Sequence, residues 1–349
     1  MNIDNIHKIE LELTSDCNAA CPGCARTLNQ GQYEVTSFSF ADLKRILPTE
    51  RHIKGKEISL CGVLGDPMIH PEIAEITEYL LSNGAKVTIS TNTGIGTKQT
   101  YYKLGKLSAQ YKWKFILQAC IDGHAETNYI YRVNTKFTTI ERNLNEFAKN
   151  SYKGEGCSNK WVYIVFDHNE HEVEIAKAHA HKLGMKFVIR TGMRNSYQNW
   201  VAKLGKKNKQ VDKVITTTGD KEHKRKDEVL KLDELIEKDA IDDSILKTVK
   251  CKYVHEGEIF ISSLQQMWPC CFLWDSAFKN IDNITGKLDD YAPGWNSLKT
   301  QSIEDIMTHP WYREVLEESW NTKHNKHLKR CIRTCAFDKA YQNVLVEQK

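Results

Sequence analysis

The sequence predicts an α/β protein in which parallel strands carry helices on their outer side, followed by a smaller second region. Three observations predict this. Segments typical of strands and of helices alternate between residues 8 and 190, and strands that are separated by helices pair in parallel. Three cysteines follow the first strand, and a second set of cysteines lies between residues 251 and 335.

Each strand is predicted from a short run of alternating or clustered apolar residues. The six predicted strands are Ile9–Leu13, Glu57–Cys61, Lys86–Ser90, Trp113–Ile121, Trp161–Phe166 and Lys186–Arg190. The helices show apolar residues at helical spacing, as Ile73, Ile76 and Leu80 do between Pro71 and Gly84. The predicted helices are Phe40–Leu47, Pro71–Ser82, residues 97–110, Thr138–Lys149 and Glu170–Leu183. Periodicity leaves open whether such a sheet closes on itself.

The chain beyond residue 192 has a different character. Residues 193–250 are dense in charge at Lys203–Lys209 and Lys221–Lys226, which predicts a solvated connector rather than an anion-binding patch. A small α+β domain is predicted over residues 251–349. Its elements are hairpin arms at Glu258–Ser262 and Gln266–Cys271 and helices at Ser302–Met307 and Trp311–Glu318, whereas a short helix at Val229–Glu237 is predicted within the connector. The expected domains are therefore residues 1–192, the connector 193–250 and residues 251–349.

Composition excludes several classes of protein. The chain has 349 residues, 11 cysteines, a net charge of +4 and 40% hydrophobic residues. No apolar run approaches the ~18 residues of a membrane-spanning helix, and the N-terminus lacks the apolar core of a signal peptide. We therefore expect a cytoplasmic protein with reduced thiols and no membrane partner. The small positive charge is spread out and gives no strong nucleic-acid signal.

The first cysteine set carries most of the functional argument. Cys17, Cys21 and Cys24 have the spacing C-x3-C-x2-C directly after the first strand. Three thiolates can hold three irons of a [4Fe–4S] cluster and leave the fourth iron open to a small molecule, whereas such clusters normally take four cysteines. A zinc site favours four ligands, and a disulfide framework suits a short secreted chain. The spacing therefore favours an iron–sulfur cluster.

This motif resembles that of the radical S-adenosylmethionine (radical SAM) family. The resemblance implies an open, partial (βα)6 barrel similar to a TIM barrel, with the site at the carboxyl ends of the strands. It also implies that S-adenosylmethionine chelates the open iron. An electron from the cluster then yields a 5′-deoxyadenosyl radical, which abstracts a hydrogen atom from a substrate.

The resemblance extends to residues that would bind S-adenosylmethionine. Gly65 and Asp66 stand in the segment Gly-Asp-Pro, which resembles the family's Gly-Glu-Pro variant and would meet the methionine ammonium group. Ser90 and Asn92 lie in a segment similar to the family's Thr-Asn-Gly and could bond ribose or carboxylate oxygens. An ordinary turn at a strand end is the alternative in both places.

The fourth strand ends in Cys-Ile-Asp-Gly, which resembles the family's Ser-Ile-Asp-Gly with a downstream arginine. Asp122 would contact the ribose and Arg132 the carboxylate, because a guanidinium can bind both carboxylate oxygens. Arg190, at the end of the sixth strand, could serve instead of Arg132, and Asn169 could line the same cavity.

The second cysteine set predicts a second cluster. Its members are Cys251, Cys270, Cys331 and Cys335, with Cys271 as an alternative to Cys270. Four thiolates would close every iron to substrate, which suits electron transfer, and a metal site would stabilise a small domain. A zinc site made of the same residues is the alternative. The region resembles the twitch domain, the short form of the SPASM domain of some radical SAM enzymes.

The expected activity is that of a radical SAM oxidoreductase with two [4Fe–4S] clusters and S-adenosylmethionine as cofactors. The second cluster would accept or relay an electron during oxidation, dehydrogenation or crosslinking of a small-molecule or peptide substrate. A flavodoxin or ferredoxin-type protein would donate electrons. Because the first strand begins near residue 8, we do not expect a separate peptide-recognition domain ahead of the barrel.

Two other activities stay open. Cys61 and Cys120 lie at strand ends, and either could donate a hydrogen atom in an epimerisation of a peptide or sugar. Both could equally be small packed residues. A protein of another class, a non-catalytic iron–sulfur electron carrier, would ligate both clusters with four residues.

Overall fold

A computed structural model describes residues 2–166, 168–191, 232, 234–236, 238, 240–278, 294–320, 327–336 and 344–348. The chain forms two compact units. The larger unit comprises Leu11–Thr217 with Asn343–Lys349, and the smaller comprises Met1–Glu10 with Thr218–Gln342. No helix among the described residues combines the length and the apolar character needed to cross a membrane.

The larger unit is built on parallel strands. In chain order the strands within the described residues are β1 (Lys8–Leu11), β2 (Glu57–Leu60), β3 (Lys86–Thr91), β4 (Phe115–Cys120), β5 (Lys160–Tyr163), β6 (Lys186–Thr191), β7 (Glu258–Ile261), β8 (Met267–Trp268) and β9 (Val344–Gln348). Strands β2 to β6 pair in chain order and all in parallel. At the carboxyl end of β1, the Leu11 carbonyl accepts a hydrogen bond of 3.1 Å from the amide of Cys61. Strand β9, which the sequence analysis missed, runs antiparallel to β6.

Helices connect these strands, as the alternation predicted. The α-helices of the larger unit are Ala25–Leu28, Phe40–Ile46, Ile73–Ser82, Lys98–Tyr111, Asn128–Tyr131, Phe137–Asn150 and Val173–Lys182, and single 3₁₀ turns are Glu50–His52, Pro67–Ile69, Lys112–Lys114 and Glu170–Glu172. The helix Ile73–Ser82 buries Ile73, Ile76 and Leu80, the face that the sequence predicted. The α/β fold class is therefore confirmed.

Two predicted strands are too long, for identifiable reasons. Strand β4 begins at Phe115 because Lys112–Lys114 form a 3₁₀ turn. Strand β5 ends at Tyr163, three residues earlier than predicted. Two amides beyond Tyr163 bond side chains instead of a neighbouring strand. The Ile164 amide donates to Asp122 Oδ1 at 2.7 Å, and the Phe166 amide donates to Asn169 Oδ1 at 2.7 Å. Side chains from the loop after β4 and from the loop after β5 itself thus end this strand.

The smaller unit combines a hairpin with short helices. Strands β7 and β8 are antiparallel, with Phe260 opposite Trp268. Among the described residues its α-helices include Asp243–Leu246, Lys252–Glu256, Cys271–Phe278, Ile303–Met307 and Lys329–Cys335, and its other turns are Ile3–Asn5, the π-helical Tyr312–Leu316 and the 3₁₀ turn Glu317–Trp320. The second hairpin arm is shorter than predicted because Cys271 begins a helix. Tryptophans form the core, with the rings of Trp295 and Trp311 stacked at 5.0 Å.

The connector predicted over residues 193–250 lies largely outside the described residues, and so does most of the helix predicted at Val229–Glu237. Residues 234–236 are helical. Leu232 and Ile236 are buried in a cluster of the smaller unit with Leu246 and Ile332.

Candidate functional site

The first cysteine set lies on the loop that follows β1. Cys17, Cys21 and Cys24 are free thiols that pack against one apolar cluster containing Tyr131 and Phe166. Backbone hydrogen bonds connect this loop to neighbouring segments. The Ala20 amide donates to the Val133 carbonyl at 3.0 Å, and the Asp66 amide donates to the Asp16 carbonyl at 2.8 Å. The fold therefore brings the three thiols to one apolar cluster.

Two side chains from neighbouring segments donate to these sulfurs, and one of them, Arg132, directly follows the helix Asn128–Tyr131. Asn92, just after β3, places its Nδ2 3.7 Å from Cys17 Sγ and 2.9 Å from Asn18 Oδ1. Arg132 places its Nη1 3.8 Å from Cys21 Sγ. Hydrogen bonds to cluster sulfurs are one of the means by which a protein tunes an iron–sulfur centre. Asn92 and Arg132, which the sequence analysis assigned to S-adenosylmethionine, thus lie against the cysteine loop.

Burial keeps the thiols of Cys17 and Cys21 protonated in the absence of metal. It raises the pKa of Cys17 to about 12 and also raises the pKa of Cys21. Metal ligands must be deprotonated, so metal binding here would release protons to solvent. Three soft sulfur donors on one loop are the donor set that iron–sulfur clusters use, and in this respect the residues fit the group.

Asp66 joins the ends of β2 and β3. Its Oδ2 accepts from the Asn92 amide at 2.8 Å and from Thr91 Oγ1 at 3.0 Å, and its Oδ1 accepts from the Met68 amide at 3.0 Å. The carboxyl group is fully buried, which raises its pKa. Its hydrogen bonds therefore hold the loop geometry around Asn92.

Because Gly65 has no side chain, the turn at Gly65 and Asp66 can pack directly against the cysteine loop. A Cβ atom on Gly65 would lie 1.8 Å from the carbonyl oxygen of Thr14. Beside it, the Leu64 amide donates to Oε1 of the buried Glu12 at 2.8 Å. The sequence analysis missed Glu12, since an acidic residue in an alternating strand is typical of an exposed position.

Asp122 and Arg132 engage each other. Arg132 Nε lies 2.6 Å from Asp122 Oδ2, and the Asp122 side chain is fully buried. Asp122 Oδ1 accepts from the Ile164 amide at 2.7 Å, and Asn169 Nδ2 donates to the Asp122 carbonyl at 2.7 Å. The structure brings these three predicted residues together as one network beside Cys21.

A row of polar side chains continues along β3 and β4. Gln118 Nε2 donates to Ser90 Oγ at 3.1 Å, and Ser90 Oγ lies 3.6 Å from Cys120 Sγ. Cys120 also packs against Val162 and Val188. Gln118 was missed because a single amide in an apolar strand carries no motif. Of the other predicted residues, Cys61 is partly exposed just after β2, and Arg190 lies in β6 opposite Leu345 of β9.

The second cysteine set lines one pocket of the smaller unit. Cys251 precedes the helix Lys252–Glu256, Cys270 precedes the helix Cys271–Phe278, and the last two thiols lie on the helix Lys329–Cys335. The pocket is lined by Val249, Cys251, Lys252, Cys270, Phe272, Leu273, Arg330, Cys331, Thr334 and Cys335. All four predicted thiols are free and mostly buried.

Cys271 is not among the lining residues of this pocket. Burial, followed by the neighbouring Glu10, raises the pKa of its thiol far above the ordinary value. Lys252, which does line the pocket, is paired with Glu258 at 2.7 Å. That carboxylate raises the pKa of Lys252 even though burial opposes its charge. Within the described residues, no three His, Cys, Asp or Glu side chains are placed to hold a single metal ion.

Comparison with known proteins adds to this geometry. No protein-family model matches the chain, and no curated protein matches its sequence. Solved structures of Streptococcus suis SuiB do match. SuiB bound to S-adenosylmethionine has a TM-score of 0.51 at 13% identity, over 77% of this chain and 61% of SuiB. A second SuiB structure has a TM-score of 0.51 at 14% identity, over 79% of this chain and 65% of SuiB.

This chain shares the fold of SuiB. That finding confirms the fold that the resemblance to radical SAM enzymes implied. A third structure, SuiB bound to the precursor peptide SuiA, matches with a TM-score of 0.50 at 13% identity over 77% of this chain. The chain spans about three fifths of the length of SuiB.

Proposed function

We propose that this chain is a radical SAM enzyme that abstracts a hydrogen atom from its substrate. One observation carries the proposal. Three free thiols lie together on the loop after β1, where Asn92 after β3 and Arg132 after the helix Asn128–Tyr131 donate to two of them. The fold is shared with SuiB, which binds S-adenosylmethionine.

Each part of the site has a role in this proposal. Cys17, Cys21 and Cys24 would hold three irons of a [4Fe–4S] cluster, with Asn92 and Arg132 as donors to the sulfurs. When bound, the cluster and S-adenosylmethionine supply the electron transfer and sulfonium cleavage that give a 5′-deoxyadenosyl radical. Because Gly65 has no side chain, its turn packs directly against the Thr14 carbonyl and holds Asp66 beside the cysteine loop. The polar row at Ser90 would bond the ligand's oxygens.

The second set supports an oxidative outcome. Cys251, Cys270, Cys331 and Cys335 line one pocket and supply four thiols, the complement that closes all irons of a cluster to substrate. Such a centre suits electron transfer, so we propose dehydrogenation or crosslinking as the net reaction. Epimerisation is the second candidate, because Cys120 lies within 3.6 Å of Ser90 Oγ in the polar row, where a thiol could donate a hydrogen atom.

We propose a peptide as the first substrate class to test. The support is the fold shared with SuiB and the complex of SuiB with the precursor peptide SuiA. A small molecule is the other class. Incubation of the enzyme with each class of candidate, followed by mass spectrometry, separates the two.

The decisive experiment is anaerobic reconstitution with iron and sulfide, followed by dithionite and S-adenosylmethionine. We expect 5′-deoxyadenosine and methionine in equal amounts. Changing Cys17, Cys21 and Cys24 together to Ala should abolish both products and remove about half of the iron, since one of two four-iron clusters is lost. Well-loaded protein that forms no 5′-deoxyadenosine above background would instead be a non-catalytic iron–sulfur carrier.

A further inference from the structure

The pocket of the second cysteine set has cationic side chains in its wall. Besides the four thiols it is lined by Lys252 and Arg330 and by the apolar side chains of Val249, Phe272 and Leu273. None of the described lining residues is acidic. Lys252 and Arg330 directly follow and precede ligand candidates in the chain, at Cys251 and Cys331. The chain thus places two positive charges where an iron–sulfur cluster would lie.

Each cation is paired with a carboxylate that stands outside the pocket wall. Lys252 Nζ lies 2.7 Å from Glu258 Oε1, and Arg330 Nη2 lies 3.3 Å from Asp275 Oδ2. Both cations also lie near the ring of Phe272, at 5.7 and 5.4 Å from its centroid. The two ion pairs are therefore oriented alike, with their positive ends at the pocket.

This orientation has a consequence for a cluster with four thiolate ligands. Such a centre carries a net negative charge that grows when an electron is added. Net charge, hydrogen bonds to sulfur and solvent exposure set the potential of iron–sulfur clusters. A nearby cation stabilises the reduced form more than the oxidised form, and in a partly buried site its field is weakly screened. The carboxylates offset this effect only in part, because they lie farther from the pocket.

We propose that Lys252 and Arg330 raise the reduction potential of the cluster held by Cys251, Cys270, Cys331 and Cys335. A raised potential favours uptake of one electron by this centre, which is the direction that a net oxidation of substrate requires. The inference rests on the proposed function, since it needs a cluster at this site.

The test uses the full chain with Cys17, Cys21 and Cys24 changed to Ala, so that iron is held at the second site alone. After anaerobic reconstitution, dithionite titration followed by electron paramagnetic resonance gives the midpoint potential. We expect Lys252→Gln and Arg330→Gln each to lower the equilibrium constant for reduction about tenfold, which is 59 mV for a one-electron couple. Lys299→Gln, at an exposed lysine of the same unit, should change nothing.

A second kind of variant should shift the potential in the opposite direction, so the proposal can still be tested if the first variants lose the cluster. Glu258→Gln removes the carboxylate of the Lys252 pair and leaves the cation, so the potential should rise. If Lys252→Gln and Arg330→Gln lose iron, the potential of Glu258→Gln becomes the deciding measurement. An unchanged or lower potential in Glu258→Gln overturns the inference. Full iron content with unchanged potentials in Lys252→Gln and Arg330→Gln overturns it too, while the proposed function stands. A parent chain that binds no iron at the second site refutes the second cluster itself.

Discussion

The buried pair of Asp122 and Arg132 allows a quantitative test of how the site is held together. We consider Arg132→Met, which keeps much of the side-chain volume and removes the charge. Arg132 Nε lies 2.6 Å from Asp122 Oδ2, and the two side chains are 16% and 0% exposed. The substitution would leave the Asp122 carboxylate buried without its cation. Breaking a buried pair in this way costs about 3–5 kcal/mol.

The assay is urea unfolding of the metal-free chain, followed by circular dichroism and tryptophan fluorescence. Asp122→Asn together with Arg132→Met should recover about 1–3 kcal/mol relative to the sum of the single changes, because the unpaired charge is removed as well. Lys103→Met is the matched control. Its ammonium lies 2.7 Å from Glu75 Oε1, but the side chains are 48% and 44% exposed, so the loss should stay below about 1 kcal/mol.

This reasoning would be refuted if Arg132→Met lowered the free energy of unfolding by no more than Lys103→Met does. Arg132 would then contribute to ligand binding alone, as the sequence motif implied. In that case S-adenosylmethionine affinity would fall while the free energy of unfolding stayed constant, and the two measurements together separate the roles.

Three further predictions concern single positions. Gly65→Ala should lower the free energy of unfolding in urea by about 3 kcal/mol, because the new Cβ would clash with backbone atoms. Gly31→Ala meets no atom within 4 Å and should cost about 1 kcal/mol because of the positive φ at this position. Equal losses in the two variants would contradict this prediction. Cys270→Ser should remove about half of the iron and Cys271→Ser none, as an iron assay can check, since only Cys270 lines the pocket. Burial lowers the pKa of His168 from 6.5 to about 4. As the pH falls, His168 is therefore protonated in the unfolded chain at a higher pH than in the folded chain. Stability should therefore drop by about 1 kcal/mol between pH 7 and pH 5, after a discount for partial exposure, and His168→Phe should lose less over that range in parallel urea titrations.

The sequence predicted those parts of the fold that depend on local pattern. The amphipathic helix at Ile73–Ser82 and the parallel strands are examples, because periodicity and turn residues act within a few positions. The early end of β5 could not be predicted, since it depends on the Asp122 carboxylate, some forty residues away in the chain. Strand β9 was missed because its partner β6 is far away in sequence.

The same division holds at the site. The spacing of Cys17, Cys21 and Cys24 is local, and their packing together followed it. Asp66 and Asp122 also have partners that are not local, the amides of Asn92 and Ile164, because strand ends that meet in space come from separate βα units. Motif resemblance assigned these carboxylates to a ligand, whereas in the structure they hold Asn92 and Arg132 against the cysteine loop.

The two cysteine sets differ in how charge is arranged around them, and the difference favours one direction of electron flow. At the first set the cation Arg132 is bonded directly to the buried Asp122, whose negative charge opposes that of Arg132 at Cys21. At the second set Lys252 and Arg330 line the pocket while their carboxylates do not. Since positive charge beside a cluster raises its potential, we expect a cluster at the second site to accept an electron more readily than one at the first. That order suits an enzyme that reduces S-adenosylmethionine at one centre and takes up an electron at the other.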